Sequence, residues 1–288
     1  MNTDKFTLAV ADAFTDRPFS GNAAGIVLLD KAPFPKDEIC IKLAAELKHS
    51  ETAFIRIISD DEFALRFFTP VCEVALCGHA TVASFTFLRE KKLVTCGDKL
   101  VHTTAGDIRV TVMKDSVWLD MAEAKTNYTL TARESDELYS SFGLKPRKDT
   151  RGMVLKAVSV GLTDIMMPVC DLEELDSAVL DEKRITELSR YLNVTGVHMF
   201  CPTDDEYTAH CRNFAPLYGI PEECATGTSN GALLHYLSEY GVCSDAAFMQ
   251  GEAMDRPSVI FAKKDGPVVR VGGNASILFT GTVILPEE

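Results

Sequence analysis

Positive charge is scarce in this sequence. Its 42 acidic and 29 basic side chains leave a net charge of −13, which argues against nucleic acid or an anionic membrane as partner. The N-terminus lacks a basic segment leading into an apolar one, and no apolar run is long enough to span a bilayer. Neither a GxGxxG nor a P-loop pattern occurs, so the usual nucleotide cradles are missing. The nine cysteines are odd in number and scattered, which is not a disulfide framework, and no CxxC pair or His/Cys cluster has zinc spacing. These absences predict a cytoplasmic protein with reduced thiols, no structural metal and a small molecule as partner. At 288 residues and 46% hydrophobic, the chain can build one large domain or two ordinary ones.

What the sequence does contain is one motif stated twice. Arg66-Phe67-Phe68-Thr69-Pro70 is followed by Cys77-Gly78-His79-Ala80-Thr81, and Arg212-Asn213-Phe214-Ala215-Pro216 by Cys224-Ala225-Thr226-Gly227-Thr228. The copies lie 146 or 147 residues apart, about half the chain, and each runs into a helical stretch. Such a repeat predicts two similar halves, each ending a strand in a turn with a cysteine at a helix start. A helix N-terminus carries partial positive charge and unpaired N–H groups, which favour thiolate over thiol. Two such thiols facing each other across a cleft would move a proton on carbon.

Strands are predicted at residues 7–13, 25–29, 52–58 and 62–69, and a helix at 36–47, where Ile39, Leu43 and Leu47 recur at i, i+4 and i+8. Short strands follow near 99–104, 108–113 and 117–119. The polar stretch 123–133 reads as a linker between an N-terminal half (1–125) and a C-terminal half (126–288). The second half is expected to hold a strand at 154–160, a helix at 182–192, strands near 197–200 and 207–214, the Cys224 helix, and closing strands near 258–262, 268–271 and 276–285. Consecutive strands without strict βαβ alternation predict an α+β fold with antiparallel sheets.

Cys77 and Cys224 are the first candidates for chemistry, although a free cysteine is most often a small buried hydrophobe. Gly78, Thr81, Thr226, Gly227, Thr228 and Ser229 are small or hydroxylic, so the backbone can approach a ligand and helix-start N–H groups can hold a carboxylate. Thr and Ser would also serve as plain caps there. Glu51, at a helix-to-strand junction, reads either as a solvated surface residue or as a general base. His79 reads as a capping residue or, kept neutral by the helix dipole, as a proton shuttle.

The run from Asp12 to Asn22, Ser50-Glu51-Thr52-Ala53-Phe54, Phe68-Thr69-Pro70, Cys77-Gly78-His79-Ala80-Thr81, Gly219-Ile220 leading to Ala225-Thr226-Gly227-Thr228, and Gly272-Gly273 resemble, in order, the motifs of the PhzF-like phenazine-biosynthesis family. The resemblance spans nearly the whole chain. It implies a fold similar to diaminopimelate epimerase: two pseudo-symmetric halves, each a curved antiparallel sheet round a central helix, with the active site in the cleft between them. It also implies a homodimer, no metal or organic cofactor, and a C-terminal segment after Ser276 that packs back on the first half. By motif match the family's proton-moving glutamate is Glu51 and its site histidine His79. Asn22, Gly78, Ala80, Thr81, Ala225, Thr226, Gly227 and Thr228 then become substrate-binding positions. The sequence departs from the family's Glu-Asp-Pro-Ala-Thr-Gly, reading Glu222-Glu223-Cys224-Ala225-Thr226-Gly227, so the family's site aspartate becomes Glu223. Cys224 is similar to the second active-site cysteine of diaminopimelate epimerase and proline racemase.

Three functions follow as expectations. The first is a cofactor-independent isomerase, an amino-acid racemase or epimerase in which Cys77 and Cys224 act as acid and base on a carboxylate substrate. The second is a PhzF-type isomerase in which Glu51 moves the proton on a cyclic or unsaturated acid. The third is a non-enzymatic binding protein on the same frame.

Overall fold

A computed structural model describes residues 3–145 and 150–286. The chain forms two compact units, one of residues up to 120 together with those from 272 onward, the other of residues 121–271. The first unit runs β1 (Thr3–Ala13), β2 (Asn22–Asp30), α1 (Asp37–Leu47), β3 (Glu51–Ile57), β4 (Glu62–Phe68), a short β5 (Glu73–Val74), α2 (Gly78–Glu90), β6 (Gly97–Thr103), β7 (Gly106–Val112) and β8 (Val117–Asp120). The second contains β9 (Lys125–Thr129), α3 (Ala132–Ser141), β10 (Lys156–Ser159), β11 (Thr163–Pro168), α4 (Leu172–Ser177), α5 (Glu182–Leu192), β12 (Gly196–Pro202), β13 (Ala209–Ala215), β14 (Ile220–Glu223), α6 (Gly227–Glu239), β15 (Asp245–Gln250) and β16 (Ser258–Asp265). β17 (Val268–Gly273) leads into β18 (Ala275–Pro286), which returns to the first unit and pairs antiparallel with β1 from Thr3↔Pro286 to Ala13↔Ala275.

The halves share one strand plan. In the first, β2 is parallel to β3, β3 antiparallel to β4, β4 parallel to β6 and β6 antiparallel to β7. In the second, β11, β12, β13, β15 and β16 repeat that sequence of orientations. The sheets are therefore mixed, which corrects the expectation of antiparallel sheets. Parallel neighbours need a crossover long enough to return the chain to the same end. The elements α1 and α2 in one half, and α5 and α6 in the other, lie in those crossovers. The stretch 123–133 is likewise not a bare linker: Lys125–Thr129 pairs with β10, and Thr131 and Glu134 form a capping box that opens α3.

The central helices α2 and α6 are buried nearly all round. Every residue of α2 from His79 to Leu88 is buried, and α6 buries nine, including Gly227, Ser229 and Asn230. A helix without a solvent face is a core element, and each fixes what its N-terminus presents. Around them lie aromatic pairs such as Phe63–Phe85 (5.1 Å between ring centroids) and Phe200–Tyr236 (5.6 Å). Gly196 starts β12 where a Cβ would press into the Phe214 carbonyl, so the close approach of β12 to β13 requires glycine.

The repeated Arg-x-Phe of the motif has a structural explanation. Arg66 meets Glu73 through Nε (2.8 Å) and Nη2 (2.6 Å), and Arg212 meets Glu222 through Nε (2.9 Å) and Nη2 (2.8 Å). Each guanidinium also stacks on the phenylalanine two residues further on, 4.9 Å from the Phe68 ring and 5.0 Å from that of Phe214. These two-pronged pairs tie β4 to β5 and β13 to β14, holding the turn that leads to each central helix. All nine cysteines are free thiols, and among the described residues no helix is long and apolar enough to cross a membrane.

Candidate active site

Three elements of the first unit converge at the N-terminus of α2. Cys77 is its N-cap residue, in extended conformation (φ −139°, ψ 112°), and its side chain makes no capping bond. The Thr81 hydroxyl donates to the Cys77 carbonyl (2.7 Å) and fixes that turn. The thiol instead meets the His79 ring, with Sγ 3.3 Å from Nδ1 and 3.8 Å from Nε2. Glu51, first residue of β3, brings Oε2 to 3.3 Å from His79 Nε2. The Ser50 hydroxyl lies 3.4 Å from the same nitrogen, and the Asn22 amide 3.4 Å from Nδ1. Glu51, Cys77 and His79 each offer one ligand-type atom, all within 4.8 Å of one another.

Burial shapes their chemistry. His79 is 6% exposed, and burial lowers its pKa below the ordinary imidazole value; Glu51 pulls it back and His49 pushes it further down. The ring is therefore neutral at physiological pH, able to accept a proton on one nitrogen while holding one on the other. Oε2 of Glu51 is buried with no hydrogen-bond donor satisfying it, despite its nearness to Nε2. A carboxylate oxygen in that state gains by meeting a hydrogen-bond donor or a cation. Gly78 leaves open space beside the backbone, since a Cβ there would meet no atom within 4 Å. Ala80 and Thr81, the other small residues of the first turn, are buried in the unit.

The second unit presents a different N-terminus. α6 begins at Gly227 with Thr226 as N-cap, so Cys224 lies three residues before the helix and not at its start. The central helices start 149 residues apart (78 and 227), the cysteines only 147. The expectation that both thiols occupy equivalent helix starts is thereby corrected: Thr226 is the counterpart of Cys77. Cys224 is 7% exposed, and its pKa is raised by burial, with Glu223 adding to the rise and Arg256 opposing it through charge and a hydrogen bond. It is a protonated thiol at neutral pH.

The loop carrying Glu223, Cys224, Ala225 and Thr226 is held by a buried polar chain. The Thr226 hydroxyl donates to Glu223 Oε2 (3.0 Å), and Gln250 accepts from the Thr226 backbone N–H (3.2 Å) while donating to the Glu223 carbonyl (2.7 Å). Asn230 donates to Gln250 (2.7 Å) and to the Thr226 carbonyl (2.9 Å), leaving its oxygen to accept from His198 Nε2 (3.3 Å). Asn213 then donates to His198 Nδ1 (3.2 Å) and to the Ser229 hydroxyl (3.0 Å), which donates to Asp164 (2.6 Å). Burial takes His198 down to about 3 and Asp164 up to about 6. Ala225 and Gly227 are buried in this loop, and Thr228 is half-buried. Gln250, His198, Asn213, Asp164 and Arg256 carry no local signal, because their partners lie 15 to 65 residues away in the chain or, for Arg256, across a loop.

Comparison with known proteins completes the description. The signature of the phenazine biosynthesis-like protein family covers residues 11–281. An uncharacterized isomerase of Clostridium acetobutylicum is 31% identical over 302 residues, covering 98% of this chain and 99% of its own. The crystal structure of the Bacillus anthracis phenazine biosynthesis protein of the PhzF family superposes with a TM-score of 0.84 at 23% identity, over 97% of this chain and 99% of that one. A predicted epimerase of Pseudomonas aeruginosa gives 0.79 at 23% identity, over 96% and 99%. The chain, matched from its opening turn into its returning strand, thus belongs to the phenazine biosynthesis-like (PhzF) family.

Proposed function

We propose that the protein is an isomerase that moves a proton on carbon in a small carboxylate-bearing substrate, and that the Glu51–His79–Cys77 cluster takes and returns that proton. The juxtaposition of the three groups around one imidazole carries this reading. A carboxylate oxygen without a donor is a base, the neutral ring relays between its two nitrogens, and the thiol stores or gives a proton. Removing the proton α to a carboxylate leaves enolate-type charge, which the N–H groups opening α2 are suited to receive. Returning the proton to the opposite face of the same carbon gives a racemase or epimerase; returning it to a different carbon gives a double-bond shift. Relatives carrying the name isomerase support the reaction class.

A second reading, with Cys77 as base and Cys224 as acid, is favoured by one observation: burial keeps the Cys224 thiol protonated. Both readings are tested by incubating the reduced protein with pools of L-amino acids and of cyclic or unsaturated acids in D₂O. Deuterium incorporation at carbon, read by proton NMR, supports the isomerase; its position and the handedness of the product name the reaction. No incorporation from any pool contradicts the reading and leaves a binding protein on the same frame.

A further inference from the structure

We propose that Glu51, Cys77 and His79 form a binding site for a thiophilic divalent cation of the zinc type, with one position left open, and that occupancy silences the site. The observation that carries it is geometric. Zinc held by thiolate, imidazole and carboxylate at ordinary bond lengths, in tetrahedral geometry, separates S from N by about 3.6 Å and N from O by about 3.4 Å. Here Cys77 Sγ is 3.8 Å from His79 Nε2, and Nε2 is 3.3 Å from Glu51 Oε2. Two of the three donor–donor separations thus match the edges of a coordination tetrahedron, and all three ligand-type atoms fall within 4.8 Å of one another.

A second observation is independent of those distances. Oε2 of Glu51 is buried and no hydrogen bond satisfies it, which is the state a cation relieves. Asn22, whose amide lies 3.4 Å from His79 Nδ1, becomes the outer group that orients the ring once its oxygen faces the Nδ1–H. The donor set of carboxylate, imidazole and thiolate, with an open fourth position, is of the catalytic-site type rather than the closed structural type. No sequence spacing announces it, because Glu51 lies on a different element from the other two.

Binding ionises the Cys77 thiol, forms the metal–sulfur, metal–nitrogen and metal–oxygen bonds, and releases one proton to solvent. The metal then occupies the basic oxygen, a ring nitrogen and the thiol together, so no group of the cluster can accept a substrate proton. This consequence for turnover rests on the isomerase reading above; the binding itself does not.

The test uses Co²⁺ alone as an optical probe, with the reduced full-length chain carrying Cys72→Ser and Cys96→Ser, since those two thiols are exposed. The expected result is a one-to-one complex with a thiolate-to-cobalt charge-transfer band. That band is lost in Cys77→Ser, and affinity drops at least about tenfold in Glu51→Gln, a loss that even an outer-shell change can produce. In the unaltered chain, Zn²⁺ should slow iodoacetamide labelling of Cys77 relative to Cys72, read by peptide mass spectrometry. Absence of the band, its persistence in Cys77→Ser, unchanged affinity in Glu51→Gln, or unchanged labelling of Cys77 overturns the site. Cobalt binding without isomerase turnover sinks the functional reading and leaves the site standing. Turnover that zinc does not inhibit, without the band, does the reverse.

Discussion

Glu51 and Cys77 are 26 residues apart in sequence, and helix α1's crossover and the central helix bring both against one imidazole ring. The motif containing His79 and Cys77 is legible in sequence because both sit in the first turn of one helix. Glu51 is legible only by resemblance, since a lone glutamate at a junction has no periodic or spacing signal. Cys224 shows the limit of motif alignment: two extra residues between it and its helix are invisible until Gly227 is seen to begin α6. Because burial lowers the His79 pKa, the acid limb of kcat/KM should fall below the ordinary imidazole value of about 6.5, and His79→Gln should remove that limb while lowering the plateau. The same shift has a linkage consequence: the unfolded chain binds this proton first, so acidification below about 6.5 costs stability through His79. A limb above 7 in the pH–rate profile contradicts the neutral-histidine assignment.

At the scale of elements, the exposed-to-buried alternation of strands and the i, i+4, i+8 stripe of α1 could be read directly, as could α5. Helices α3 and α4 could not, because their short polar sequences carry too few apolar residues to display a period, and their capping residues announce them only in retrospect. Strand β9 was hidden for a related reason: all five of its residues are exposed. Parallel pairing was also hidden, since the sequence records strands and not their neighbours. The Arg-x-Phe repeat, by contrast, is explained fully by packing. Arg212 is mostly buried, pairs with Glu222 through two prongs, and donates Nη1 to the carbonyls of Leu175 and Ala178 (2.9 and 3.0 Å). Arg212→Ala strands a carboxylate and two carbonyls, and should cost about 3–5 kcal/mol in urea unfolding with little change in slope. Arg212→Lys, which cannot reproduce the planar fork, should recover only part of it. A loss below about 1 kcal/mol would show that the β13–β14 turn is held by something else.

On the scale of the whole molecule, the repeat at half the chain length did announce two halves of one plan, and the family resemblance supplied the return of the last strand. What composition could not supply is how differently the two halves are furnished: a Glu–His–Cys cluster at the start of α2, an extended hydrogen-bonded chain behind the start of α6. Charge also sets global stability. Burial acts to lower the His210 pKa, but hydrogen bonds from its ring to Glu252 (2.6 Å) and Asp205 (2.9 Å) outweigh it and raise the value. A histidine with a raised folded pKa contributes stability that is fully present below about 6.5 and lost as pH rises through the folded value. His210→Gln should therefore lower Tm by about 2–4 °C at pH 6 and by progressively less toward pH 9. A deficit that grows with pH would reverse the sign and refute the doubly paired imidazolium.

The most direct measurement of the central claim is the rate of solvent deuterium incorporation at the substrate carbon, compared between the unaltered protein, Glu51→Gln and Cys224→Ala at matched folding. With Glu51 as the base, Glu51→Gln loses about 10²- to 10⁴-fold, the range of general acid–base catalysis, while Cys224→Ala keeps exchange within about tenfold. Exchange retained in Glu51→Gln and abolished in Cys224→Ala would contradict that assignment and place the proton on the thiols.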